Sequence, residues 1–240
     1  LNEKAIRHDV ETAIGHGFIG SLACSEVNIS LPEYGRMCEI MVDQAAGRMI
    51  CIHHAAFNSL AESIAAARLA EAAGTELVLL CYPPYFNPQS LQKLDRADIP
   101  VPLLRRLIDD CPNIVAIKAE GGMPYIMSAI EVHRAFHKEV VISLPIEYDF
   151  VPLAQVIDVP FCGTNYSAYF GSWLPDVHKL IRAGKFDEAT AEWYRIDAAR
   201  KAVMSVPMTS SGLINRMLWK YHGWLQGYNG GALGGPPPRG

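Results

Sequence analysis

Apolar runs of strand length alternate with helix-length stretches along this chain, and that alternation limits its fold more than any other feature. Strand-like runs open at residues 18, 49 and 77, about 30 residues apart, which is the spacing of successive βα units. The runs are nearly continuous in apolar residues, as in Leu77, Val78, Leu79 and Leu80. A strand reads that way when both of its faces are covered, as in a parallel sheet under helices. Gly17, Gly47 and Gly74 punctuate the helix ends, where a left-handed residue commonly closes the last turn.

The pattern predicts helices over residues 2–16, 31–46, 60–73, 101–110, 124–137 and 150–156. On the second, Tyr34, Met37, Cys38, Met41, Val42 and Ala45 form the stripe to be buried. Before the third, Ser59 and Glu62 have capping-box spacing. Strands are predicted at 18–24, 49–55, 77–82, 114–117, 140–144 and 161–165. From residue 170 onward the chain reads as helical, in pieces at 173–183, 186–203 and 211–225. A glycine- and proline-rich tail follows from Gly227, of the kind that is poorly ordered or wraps on the surface.

No glycine-rich phosphate fingerprint follows any strand, which weakens a nucleotide-binding open sheet. Glu26, Asn58, Tyr85, Lys118 and Ser143 all fall at or just past C-terminal strand ends. In a (β/α)8 barrel that rim holds the chemistry. The fold class is therefore α/β, a (β/α)8 TIM barrel with a C-terminal helical extension. Six strands are readable where the barrel needs eight. The pattern lacks one strand before the first helix and another near Gln92, since the fourth strand opens only at residue 114, which is expected either of a reduced barrel or of a sequence that omits segments of the whole protein. The division that follows is a barrel over 1–170, an extension over 171–226 and a tail over 227–240.

Half of the 240 residues are apolar and 19% are charged, so the chain has the means to fill a large core. The net charge is −4 and no Lys/Arg-rich run occurs, which argues against a nucleic-acid partner. Cys24, Cys38, Cys51, Cys81, Cys111 and Cys162 are scattered with no CxxC pair. That is the pattern of reduced thiols in a cytoplasmic protein rather than a disulfide or zinc framework. His53 and His54 are adjacent, and neighbours on a strand point to opposite faces, so they do not converge on one ion. His133 and His137 share a helix face without a third ligand nearby and read as solvated. Trp219, Tyr221 and Trp224 read as core or subunit packing. No run is long enough to span a membrane.

The chemically pointed stretch is Pro112-Asn113-Ile114-Val115-Ala116-Ile117-Lys118. It reads as a strand buried on both faces that ends in a lysine. Such a lysine snorkels, holds a partner, or is desolvated to a neutral amine able to attack a carbonyl.

This stretch resembles the Schiff-base strand of the dihydrodipicolinate synthase / N-acetylneuraminate lyase family, which are class I aldolase-type barrels. Three further stretches agree in order and spacing. Leu22 to Glu26 resembles the family's Gly-Thr-Thr-Gly-Glu loop, Ala55 to Glu62 its segment after strand three, and Pro83-Pro84-Tyr85-Phe86-Asn87 its Pro-Pro-Tyr-Tyr loop. The resemblance implies a lyase in which Lys118 forms an imine with pyruvate or another 2-oxo acid, with no cofactor and no metal. It implies Tyr85 as the available acid/base tyrosine. Ser25, Cys24, Asn58, Ser143 and Asn165 fall at positions to bind substrate. An aldehyde co-substrate and a homo-oligomer, dimer or tetramer, are implied in the same way.

The departures are specific. The family's threonine pair is here Ala23 and Cys24. The second loop tyrosine is Phe86. The strand-five tyrosine has no counterpart, and Ala119-Glu120-Gly121-Gly122 follows the lysine. Glu26 reads either as an acid/base or as a turn cap. The resemblance therefore implies a divergent member. Two alternatives stand beside it: a non-catalytic member that binds a small acid, and a metal-dependent barrel enzyme.

Overall fold

A computed structural model of the chain describes residues 1–24, 29–55, 57, 59–80, 100–119, 125–144, 150–163, 170–210 and 216–229. It divides into two compact units. One comprises Leu1–Asn87, Ser167–Pro175 and Ile214–Gly240, the other Pro88–Tyr166 and Asp176–Leu213.

In the first unit the order is α1 (Glu3–Gly15), β1 (Gly20–Ala23), α2 (Leu31–Ala45), β2 (Ile50–His54), α3 (Leu60–Ala72) and β3 (Leu77–Leu79). The three strands form one parallel sheet in the order β1-β2-β3, with Ala23 opposite His53 and His54 opposite Leu79. Side-chain caps start two of the helices. The Ala5 amide donates to Asn2 Oδ1 at 3.1 Å, and the Glu62 amide donates to Ser59 Oγ at 3.1 Å. Each satisfies one of the amides that a helix start leaves without a partner.

Helix periodicity buries the predicted stripe of α2. Met41 and Ala45 pack with Val10, Ala13, Ala23, Met49 and Cys51, while Tyr34 and Cys38 pack with Ala55, Ala66 and Ala70. Full burial of a side chain the size of Met41 contributes about 1.5–3 kcal/mol.

The second unit holds α4 (Val101–Asp110), β4 (Ala116–Lys118), α5 (Tyr125–Phe136), β5 (Val141–Leu144), α6 (Phe150–Ala154) and β6 (Phe161–Cys162). Its sheet is also parallel, in the order β4-β5-β6. Phe150 on α6 stacks on His178 at 5.6 Å between ring centroids. His178 belongs to α7 (Trp173–Arg182), which is followed by α8 (Phe186–Ser210) and, in the first unit, by α9 (Arg216–Leu225).

All six predicted strands are present, each shorter than its apolar run. Four details refine these expectations. First, β4 is not covered on both faces: Val115 is 50% exposed, and Ala116 and Lys118 are exposed. Among the described residues its strand partner is β5 alone. Second, α8 runs on to Ser210, seven residues past its predicted end. Third, Tyr221 and Trp224 stack on each other and are exposed in the single chain, which removes core packing for them and leaves subunit packing as the expectation. Fourth, residues just past α9 are held on α1. His8 bonds the Gly227 carbonyl at 2.7 Å, and the Asn229 amide donates to Asp9 at 2.5 Å. Among the described residues no helix is long and apolar enough to cross a membrane.

Candidate functional site

Lys118 is the last residue of β4, and its Cα partner on β5 is Ser143. Registered partners on adjacent parallel strands present their side chains on one face of the sheet. Lys118 and Ser143 therefore stand side by side at the C-terminal end of this sheet. The Ala119 amide donates to the Ser143 carbonyl at 3.2 Å and extends the pairing one residue past the lysine.

The two side chains have opposite surroundings. Lys118 is exposed, so the burial anticipated for it is not supplied by the described residues. Ser143 is 2% exposed, and its hydroxyl has no hydrogen-bond partner among them. A buried hydroxyl left unpaired costs about 1–3 kcal/mol. An amine beside an unsatisfied hydroxyl suits a ligand that has an electrophilic carbonyl next to a hydrogen-bonding oxygen.

Cys24 directly follows β1 in the first unit, with a left-handed backbone (φ 59°) unusual for a residue with a β-carbon. Its thiol is turned into the core, donating to Met37 Sδ at 3.5 Å. Burial, reinforced by nearby Cys38, pushes the thiol up to about 12. This is an inert, protonated sulfhydryl. Tyr85, Ser25, Asn58 and Asn165, together with Glu26, lie outside the described residues.

His53 and His54 point to opposite faces of β2, as adjacent strand residues must. His53 is fully buried on the helix side. Its Nδ1 bonds Thr75 Oγ1 at 3.0 Å, and its ring meets Tyr34 edge-on at 6.2 Å. Burial drives it down to about 4. Burial likewise raises Tyr34, Cys38 and Cys51, the two thiols to about 11.

Sequence reasoning placed His133 and His137 on a solvated face. The structure corrects half of this: His137 is exposed, but His133 is buried and the two rings stack at 4.6 Å. The i, i+4 spacing was the available signal. The covering segment, around Asp158, is distant in sequence and could not be read.

A family model for the dihydrodipicolinate synthetase family matches residues 1–96. The 4-hydroxy-tetrahydrodipicolinate synthase of Rhizobium meliloti is 30% identical over 148 residues, covering 51% of this chain and 51% of that protein. The chain spans about half the length of the curated relatives it matches first. Among solved structures, the 4-hydroxy-tetrahydrodipicolinate synthase of Methylacidiphilum fumariolicum SolV is similar with a TM-score of 0.78 at 19% identity, covering 100% of this chain and 85% of that one. The N-acetylneuraminate lyase of Fusobacterium nucleatum gives 0.75 at 18% identity, covering 100% and 87%. At these identities the structural likeness shows the fold, an α/β fold of the (β/α)8 class. Over its first 96 residues the chain is thus similar to the dihydrodipicolinate synthetase family, and the curated relatives extend that similarity across about half of its length.

Proposed function

We propose that this chain is a Schiff-base-forming lyase, an aldolase or hydro-lyase, that acts on pyruvate or another 2-oxo acid through Lys118. The carrying observation is the register pair: an exposed amine at a strand's C-terminal end beside the buried, unpartnered hydroxyl of Ser143. The family resemblance supplies the reaction class. In this reading six of the barrel's strands lie among the described residues, residues 171–226 form its helical extension, and the protein works as a homo-oligomer.

The chemistry follows from the amine. Neutral Lys118 adds to the ketone carbon, and the carbonyl oxygen leaves as water. The resulting protonated imine accepts the electron pair released when the neighbouring carbon loses a proton or a carbon–carbon bond breaks. Ser143 donates a hydrogen bond to the acid's carboxylate or to the oxygen that departs. Tyr85, Ser25, Asn58 and Asn165 are proposed at the same end of the strands by resemblance alone. An aldehyde is the proposed acceptor of the enamine.

The test is intact mass after incubation with pyruvate and borohydride. A pyruvate-sized adduct on the native chain that is absent from Lys118→Ala supports the reading. No adduct with pyruvate or larger 2-oxo acids overturns it.

One observation favours a second reading, a non-catalytic member that binds a small acid. The position of the family's second threonine holds Cys24, whose thiol is turned into the core toward Met37. Saturable pyruvate binding without a borohydride adduct would select that reading.

A further inference from the structure

At the other end of the second unit's sheet, where β4, β5 and β6 begin, lies a cavity of about 380 Å³. Its apolar floor includes Ile114, Val140 and Ile142. Its polar wall comes from the last turn of α5 and the residues after it: His133, His137, Lys138 and Glu139, with Asp158 opposite. This is the N-terminal end of the strands, away from Lys118 and Ser143, and the proposed lyase chemistry makes no use of it.

Both carboxylates in the wall are already engaged. Glu139 takes a two-pronged contact from Arg105 of α4 at 2.6 and 2.7 Å, and Asp158 pairs with Arg182 of α7 at 2.5 Å. Lys138 makes no ion pair among the described residues. The polar groups left facing the cavity are thus Lys138 and the two imidazoles.

Those imidazoles are already oriented. His137 Nδ1 bonds the His133 carbonyl at 2.8 Å, and His133 donates to the Asp158 backbone. With the rings parallel at 4.6 Å, a proton on one disfavours a proton on the other. Burial and the neighbouring ring both hold His133 below its ordinary value. An anion lodged against the pair offsets that repulsion.

We propose that this cavity is a binding site for a small oxyanion, held by Lys138 and the stacked pair His133 and His137. The apolar floor favours an anion with a compact body, and a carboxylate and a tetrahedral oxyanion share the required chemistry.

The test is calorimetric titration of the full chain with sulfate and, separately, with acetate, whose charges are constant between pH 6 and 8, at ionic strength matched with chloride. Saturable binding is expected at pH 6, weakened at least roughly fivefold at pH 8, since imidazole side chains in general carry more positive charge at the lower pH. His137→Phe, which keeps a stacked ring, and Lys138→Met should each weaken it by a similar factor. Both positions are exposed, so neither substitution disturbs the core. Which anion binds tighter separates the tetrahedral from the carboxylate source. Absence of saturable binding by either anion at pH 6, binding indifferent to pH, or binding unchanged in both variants would each overturn the proposal.

Discussion

The two units carry the same device, a three-stranded parallel sheet under helices, but treat polar groups at their strands in opposite ways. In the first unit they are silenced. The Cys24 thiol faces Met37, and His53 and Tyr34 meet in a dry layer between sheet and helix. Burial keeps each in its neutral form. In the second unit polar groups are presented: Lys118 is exposed beside an unsatisfied Ser143, and His137 and Lys138 face a cavity at the opposite end. Among the described residues, similar secondary structure thus gives one sheet whose polar groups are buried and one that presents polar groups at both ends. What separates them is which face a polar residue occupies and whether a helix covers it.

The sharpest way to break this contrast is covalent trapping. Lys118→Ala should abolish the borohydride-trapped pyruvate adduct, whereas Cys24→Ala should leave it intact, as read by intact mass. An adduct that survives Lys118→Ala but disappears with Cys24→Ala would reverse the assignment of reactive and inert sheets. Between these extremes, Ser143→Ala should slow adduct formation roughly tenfold, the worth of one hydrogen bond of about 1.4 kcal/mol. It should cost no folding stability, because the hydroxyl has no partner to lose.

The buried layer of the first unit predicts the next largest effect. Tyr34→Ala should destabilise by about 3–5 kcal/mol in urea unfolding, since it empties a fully buried aromatic site. Tyr34→Phe should cost no more than about 1 kcal/mol, because the hydroxyl's contact among the described residues is the weakly bonding Cys38 thiol. A loss as large as that of Tyr34→Ala would show that the hydroxyl, rather than the ring, holds the layer.

His53 adds a dependence on pH. Burial depresses it to about 4 in the fold, against 6.5 as its ordinary value. As pH falls below 6.5 the unfolded chain therefore binds the proton first. The stability contributed by neutral His53 is complete above pH 6.5 and is lost as pH falls toward 4, by about 3 kcal/mol at most. His53→Gln should flatten the stability profile across that window. A native profile no steeper than the variant's would remove the buried-neutral assignment.

The path from sequence to these features is uneven, for physical reasons. The strands and the α2 stripe were legible because periodicity is a local property that burial enforces. Lys118 was legible as a strand-end residue for the same reason. Its exposure was not, because the apolar run of residues 114–117 does not reveal that, among the described residues, β4 pairs with β5 alone. The left-handed backbone at Cys24 was hidden because that position carries no glycine. The His133–His137 pair was visible as a spacing, but its burial depends on Asp158, which no local pattern connects to α5.

The smallest predicted effect concerns how the helices begin, where the units differ again. In the first unit α1 and α3 open on Asn2 and Ser59, whose side chains accept from the helix amides. In the second unit α4 opens after Pro100, which provides no side-chain cap. Removing the cap with Ser59→Ala should cost about 1 kcal/mol, and supplying one with Pro100→Asp should recover a similar amount, both read by urea unfolding. The Pro100 N-cap backbone is already extended (φ −57°, ψ 139°), as a capping residue requires, and its ring removes an amide that α4 does not need. A loss of stability on Pro100→Asp would mean that the ring's restriction of the unfolded chain outweighs the missing cap. The second unit's helix start would then be set by chain stiffness where the first unit's is set by hydrogen bonding.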